Sequence, residues 1–231
     1  MGFFLDSFIS AFELIRSLDT ELLLIVVVSL KVSGFSTLFA GVFGIPLGFL
    51  ISFNEFRGKR LLITCLNTML ALPTVAIALF VYAFISRRAI FGSLDLLYTQ
   101  KAIIIGQTFL IFPIIATFTI SAISHIDQRY RKTALTLGAN QKQVAFIVLR
   151  EAKYGILAAI IASFGRVISE VGISMMLGGN AKGFTRTITT AMALEYDKGE
   201  FVLAVALGMV LIIISFAINL LFHLFQGRDS K

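Results

Sequence analysis

Charge is what this chain has least of. Charged residues are 14% of its 231 positions, against about 25% in an ordinary soluble domain. Hydrophobic residues are 58% and the mean hydropathy is +0.93. A soluble domain of this size would leave much of that apolar surface in water, which excludes that class. A bilayer is the solvent such a chain requires. The single cysteine, Cys65, excludes an intrachain disulfide. The two histidines, His125 and His223, lie far apart and are poor material for a haem or metal site, so no cofactor or metal is expected on this chain. No Gly-x-x-x-x-Gly-Lys-Ser/Thr phosphate loop occurs. Internal repeats, low-complexity tracts and a soluble domain are also absent from the sequence. The start lacks a basic n-region and carries Asp6 and Glu13 where a signal peptide would be apolar.

What is present is a series of long apolar runs. A spanning helix needs about 20 apolar residues. Five segments qualify: 22–52, 61–86, 102–124, 154–177 and 201–225. Lys31 and the Gly34, Gly41, Gly44 and Pro46 series interrupt the first, which is expected to tilt or bend, with Lys31 snorkelling to an interface. Pro73 and Pro113 are expected to kink the second and third. Ahead of them, Phe4, Phe8, Ala11, Phe12, Ile15 and Leu18 recur at helical spacing. Residues 1–20 are therefore read as an amphipathic helix at the membrane surface, the alternative being an extension of the first span. The fold class is all-α transmembrane, a single domain over 1–231.

The net charge of +7 and pI of about 9.8 would point to nucleic acid in a soluble protein. Here the basic residues sit mostly between apolar runs, so no nucleic-acid partner is expected. Arg57, Lys59, Arg60, Arg129, Arg131, Lys132, Lys142, Arg150, Lys153, Arg228 and Lys231 fall on one side of a five-span arrangement. Arg16, Arg87, Arg88, Lys101, Lys182, Arg186 and Lys198 fall on the other. The excess of eleven over seven marks the first side as cytoplasmic and places the N-terminus outside and the C-terminus inside. Arg87 and Arg88 run against that bias.

Two connections exceed a tight turn, and loops of that length are often functional. In 126–153 the order is a polar–apolar helix, a glycine, then a second short helix leading into the fourth span. Leu135, Gly138 and Ala139 lie near one another on a helical face. A protruding helix–glycine–helix makes a plug for a partner's groove. The stretch resembles the EAA loop of ABC-importer permeases, whose pattern is Glu-Ala-Ala, three residues, Gly, nine residues, Ile-x-Leu-Pro. With the glycine at Gly138, Lys132, Thr133 and Ala134 stand at Glu-Ala-Ala, and Val148, Arg150 and Glu151 stand at Ile, Leu and Pro. The core from Ala134 to Ala139 agrees. The acidic residue and the proline are missing, which puts one polar contact with an ATPase in doubt. The resemblance implies a coupling helix seated in a nucleotide-binding subunit, carried by Lys132, Ala134, Leu135, Leu137, Gly138, Ala139 and Gln141.

A second stretch runs Arg166-Val167-Ile168-Ser169-Glu170-Val171-Gly172, then Leu177-Gly178-Gly179-Asn180, then Thr185-Arg186-Thr187. It resembles the molybdate, sulfate and tungstate permeases, and the run from Ser169 to Asn180 looks most like the tungstate branch. On the residues alone, Arg166 and Glu170 are two ionisable groups within the apolar fourth span. Each costs about 2.5–3.5 kcal/mol at mid-membrane, and at a spacing of four they share a face and neutralise each other. Two readings stand: a structural pair that pins helix packing, or side chains beside the translocation path. In 178–200, Gly178, Gly179, Asn180, Gly183, Thr185, Arg186, Thr187, Thr189 and Thr190 offer hydroxyls, backbone N–H groups and one arginine suited to a tetrahedral oxyanion, with residues 188–194 expected to form a short returning helix. The readings are an outer gate or a solvated loop.

Together these resemblances imply a non-catalytic permease of an ATP-driven oxyanion importer in a prokaryotic inner membrane, with tungstate favoured and molybdate, sulfate or another small anion as alternatives. The implied partners are a second copy of the chain, two cytoplasmic ABC ATPase subunits that bind ATP and Mg, an extracytoplasmic oxyanion-binding protein, and membrane lipid. A membrane enzyme would need convergent His, Asp or Cys residues in the spans. A stand-alone channel or secondary transporter would usually show inverted repeats.

Overall fold

The computed structural model describes residues 20–226, with 8, 9, 12, 13 and 16 before them. Most of the expected amphipathic helix over 1–20 lies outside the described residues, as do Arg228 and Lys231. Helices dominate, and no strand occurs among the described residues. In chain order they are α1 (Thr20–Phe53), α2 (Lys59–Leu70), α3 (Thr74–Ile85), α4 (Gln100–Ser124), α5 (Gln128–Thr136), α6 (Gln141–Glu151), α7 (Lys153–Ile168), α8 (Gly172–Gly178), α9 (Ile188–Lys198) and α10 (Phe201–Gln226). A 3₁₀ turn, Gly92–Leu94, lies between α3 and α4.

Helices α1, α4 and α10 are each long and apolar enough to cross a bilayer alone. The other two expected spans are bent pairs. Helices α2 and α3 meet at 104°, and α7 and α8 at 61°. The first bend is a break, not the expected kink. Pro73 has no N–H to continue α2 and disfavours helical geometry at Leu72, so the chain turns and restarts with Pro73 as the N-cap of α3. Pro113, in contrast, sits within an uninterrupted α4. In the second bend, Ser169 Oγ lies 3.0 Å from the Gly165 carbonyl and 3.1 Å from that of Arg166, closing the end of α7. The Ile173 N–H in the first turn of α8 then donates to Glu170 Oε1 at 3.4 Å, from just before the N-cap Val171. The fourth span is therefore not one apolar helix, and Glu170 sits in its break.

The centre of the packing is α1 against α4. Gly44 and Gly48 of α1 let the two backbones approach, as small residues four apart do in membrane helices. A Cβ at residue 48 would stand 2.5 Å from the Ala116 carbonyl oxygen. Around that pair, Ile77, Ala78, Val81 and Ile85 of α3 close against Ile111 and Ile115 of α4 and Ile173 and Leu177 of α8. A second cluster joins Leu22 and Ile25 of α1 to Ile188 and Ala191 of α9 and Leu207 of α10. Helix α10 is otherwise lightly packed. Exposed phenylalanines such as Phe43 and Phe216 cover the flanks, as lipid-facing surface requires. Lys31 is exposed on α1.

Candidate functional site

Three places bring the expected residues together. The first is the pair of helix breaks. Arg166 Nη1 and Glu170 Oε2 are 2.8 Å apart. The partners are unequal: the Glu170 side chain is 4% exposed and that of Arg166 is 42% exposed. The carboxylate is thus sealed in the protein, while the guanidinium reaches out of it with donors to spare. Thr189 Oγ1 of α9 donates to the Glu170 carbonyl at 2.8 Å. The two breaks also touch. A Cβ at Gly172 would meet Thr74 Oγ1 at 3.1 Å and Glu170 Oε1 at 3.3 Å, so α3 and α8 begin side by side.

Gln107 locks this arrangement to the rest of the bundle. Its amide nitrogen donates to the Val167 carbonyl and lies 3.4 Å from Ser174 Oγ. Its oxygen accepts from Ser36 Oγ at 2.9 Å. One buried amide therefore ties α1, α4, α7 and α8. Gly106 beside it allows α8 to close on α4, since a Cβ there would lie 2.6 Å from both Ile173 Cγ2 and Leu177 Cδ1. Sequence reasoning missed Gln107, and it named Thr189 only among the hydroxyls of 178–200, not as a partner of Glu170. A lone amide inside the apolar run 102–124 was the available signal for Gln107.

The second place is the segment between α8 and α9. Its hydroxyls turn inward. Thr185 is buried, donates to the Gly178 carbonyl at 2.6 Å and accepts from the Ala181 N–H at 2.9 Å. Thr187 is the N-cap of α9 and forms a reciprocal capping box with Thr190. The Ile188 N–H donates to Ser29 Oγ of α1 at 2.7 Å. Gly179 is the left-handed C-cap of α8, and Asn180 follows in the same region with its amide on the Thr190 carbonyl. Arg186 and Lys182 both reach Glu21 at the start of α1, at 3.3 and 2.7 Å. The segment is a folded loop clamped to α1.

The third place is the helix–glycine–helix pair, α5 and α6. Asp127 caps α5 and Asn140 caps α6 through a capping box with Gln143. Between them Gly138 takes a φ of +85° with open space around it. That left-handed turn is strained for any side chain except Asn or Asp. Ala134, Val144 and Val148 pack inward with Ile123 and Ala152, against Ala139 at the edge. Leu137 and Phe146 point out, 82% and 68% exposed, and Leu135 is exposed beside them. Lys132, Gln141 and Lys142 are exposed around this apolar tip.

Among the described residues no three His, Cys, Asp or Glu side chains converge on a metal-sized site. The single-pass helices, the paired breaks and the protruding helical pair define a polytopic membrane transport subunit. The chain belongs to the family of binding-protein-dependent transport system inner membrane components, whose pattern matches residues 44–228. It is 38% identical to the tungstate uptake system permease protein TupB of Peptoclostridium acidaminophilum, over 98% of this chain and 99% of that one. It is 35% identical to a probable anion ABC transporter permease protein of Haloferax volcanii, over 90% of this chain and 92% of that one. Its fold is similar to a bacterial ABC transporter involved in the import of the acidic polysaccharide alginate. The TM-score there is 0.77 at 19% identity, over 98% of this chain and 84% of the other.

Proposed function

We propose that this chain is the permease subunit of an ATP-driven importer for tungstate, working by alternating access. The observation that carries the substrate is the 38% identity, over nearly the whole of both chains, to a tungstate uptake permease. The anion permease at 35% supports the wider class. Molybdate and sulfate are the competing substrates. The chain performs no catalysis. Two cytoplasmic ABC ATPases bind ATP and Mg, and an extracytoplasmic binding protein delivers the oxyanion. Two copies of this chain enclose the path, which the lightly packed α10 and the half-exposed Arg166 support.

The orientation is N-terminus outside and C-terminus inside, with each bent pair counted as one span. The tip of α5 and α6 seats in a groove of the ATPase. Exposed Leu135 and Leu137 enter it, Lys132 and Gln141 flank it, and Ala134, Gly138 and Ala139 shape the turn. Closure of the ATPase dimer on ATP draws in this tip, and Ile123 and Ala152 in its core pass the movement to α4 and α7. The breaks are where the spans flex. Arg166 is the cation facing the path, held in place by sealed Glu170. At the outer mouth, Arg186 and Asn180 meet the anion, while Gly178, Gly179, Thr185 and Thr187 form the frame that fixes them.

Proteoliposomes holding this chain with its ATPase and binding protein test the reading. ATP-dependent accumulation of tungstate, resistant to excess sulfate, is the expected result. Accumulation of molybdate or sulfate in preference to tungstate would reassign the substrate. Tungstate uptake without ATP would move the chain to the channel or secondary-transporter class.

A further inference from the structure

The loop between α3 and α4 is not used by the transport reading. Arg87 and Arg88 in it and Lys101 in the first turn of α4 lie on the side that the proposed orientation makes external, where positive charge is disfavoured. Arg87, Arg88 and Lys101 are exposed, and none has a side-chain hydrogen bond or ion pair with the described residues. Asp95 is the one acid between them and is equally unpaired. The same loop presents apolar side chains outward: Ile90 is 80% exposed, and Phe91 and Leu94 are exposed beside it. Cations next to outward apolar groups are the pattern of a segment lying in a membrane interface. Directly below are two apolar grooves. One, of about 520 Å³, runs between α3 and the loop past Phe80, Phe84 and Phe91. The other, of about 670 Å³, runs between α1 and α4 past Phe39, Phe43 and Phe112, with Lys101 its one charged lining residue. They share Leu96, Ile105 and Phe109, so they meet.

We propose that this end of the molecule is a binding site for an anionic phospholipid. Its two acyl chains lie in the joined phenylalanine grooves, and its phosphate is held by Lys101 with Arg87 and Arg88. Charge selects the occupant. A neutral lipid fills the grooves equally well but leaves three cations unanswered, and a buried protein face would not keep three unpaired cations at its edge. The site ties the loop that follows α3 to the leaflet it faces, and so holds the outer end of a broken span whose other end is free to flex.

The chain contains no tryptophan, so a single introduced one reports alone. Phe109→Trp of the full chain is placed in vesicles of phosphatidylglycerol and phosphatidylcholine, with bromine on the chains of one lipid or the other. Phe216→Trp on exposed α10 reports the bulk mixture. Brominated phosphatidylglycerol is expected to quench the Phe109→Trp chain in excess of its mole fraction by about fivefold, the preference that a single cation near an anionic surface provides. The excess is absent in the Phe216→Trp chain and disappears from the Phe109→Trp chain when Arg87→Gln, Arg88→Gln and Lys101→Gln are added together. Phe84→Trp gives the same reading from the other groove should Phe109→Trp not fold. Equal quenching by both lipids overturns the proposal in favour of ordinary solvating lipid. No quenching by either overturns it in favour of a groove covered by protein, such as a second copy.

Discussion

Glu170 and Arg166 form one ion pair with two different environments. Removing the acid leaves the guanidinium next to a sealed pocket with its 2.8 Å partner gone. Glu170→Ala is expected to lower the stability of the purified subunit by about 1–3 kcal/mol, the range for a charged hydrogen bond with one partially solvated end. The check is thermal unfolding in detergent. Arg166→Gln leaves a lone buried carboxylate and should cost at least as much; an unchanged midpoint for both would make the pair dispensable. Gly48→Ala is the steric counterpart. Its Cβ meets backbone, the Ala116 carbonyl, which cannot rotate away. A loss of about 1–3 kcal/mol is expected from overpacking, whereas Gly34→Ala, with open space around it, should be neutral. The Arg166–Glu170 pairing was legible from a spacing of four. The unequal burial of its members was not, because it depends on the starts of α3 at Thr74 and of α9 at Thr189 arriving beside the break.

At the level of elements, the proposed cycle places its movement at the breaks and the α5–α6 pair. Five apolar runs were readable as spans by length alone. The break at Pro73 left a visible mark, and only its size was underestimated. The break at Ser169–Val171 has no proline, and Arg166 and Glu170, which stood out in the apolar run, were read as an ion pair on one continuous helix and not as the end of one helix and the start of another. In the α5–α6 pair, the helix–glycine–helix order was readable from Gly138 between two polar–apolar stretches, while the caps Asp127 and Asn140 emerged only with the fold. Gly138 has a φ of +85°, so Gly138→Ala should destabilise by about 1 kcal/mol and Gly138→Asn by less, because Asn accepts the left-handed region. Both are expected to leave the exposed tip intact. Thermal shift of the two variants side by side checks the order, and Asn no better than Ala would contradict a strained turn. The inward-turned hydroxyls of Thr185 and Thr187 were not legible. A hydroxyl in a glycine-rich segment looks equally suited to an anion or to a cap, and only the fold supplies the Gly178 carbonyl and the Thr190 partner.

For the whole molecule, the sealed side of the breaks faces the bundle, and the Arg166 side faces away from it. A single copy therefore leaves a half-exposed cation of the fourth span on an outer surface, an arrangement that costs energy in lipid and that the proposed second copy would relieve. The apolar tip at Leu137 and Phe146 asks for a cover of its own at the other end of the bundle. In the proposed importer an ATPase groove would cover the tip and a second copy would face Arg166. The most direct test is ATP hydrolysis by the assembled complex in lipid, with wild type compared with Leu137→Asp. The account predicts that tungstate-loaded binding protein stimulates the wild-type complex and that Leu137→Asp abolishes the stimulation while the permease remains folded. Full stimulation in Leu137→Asp would contradict the central claim, since the exposed tip would then play no part in coupling.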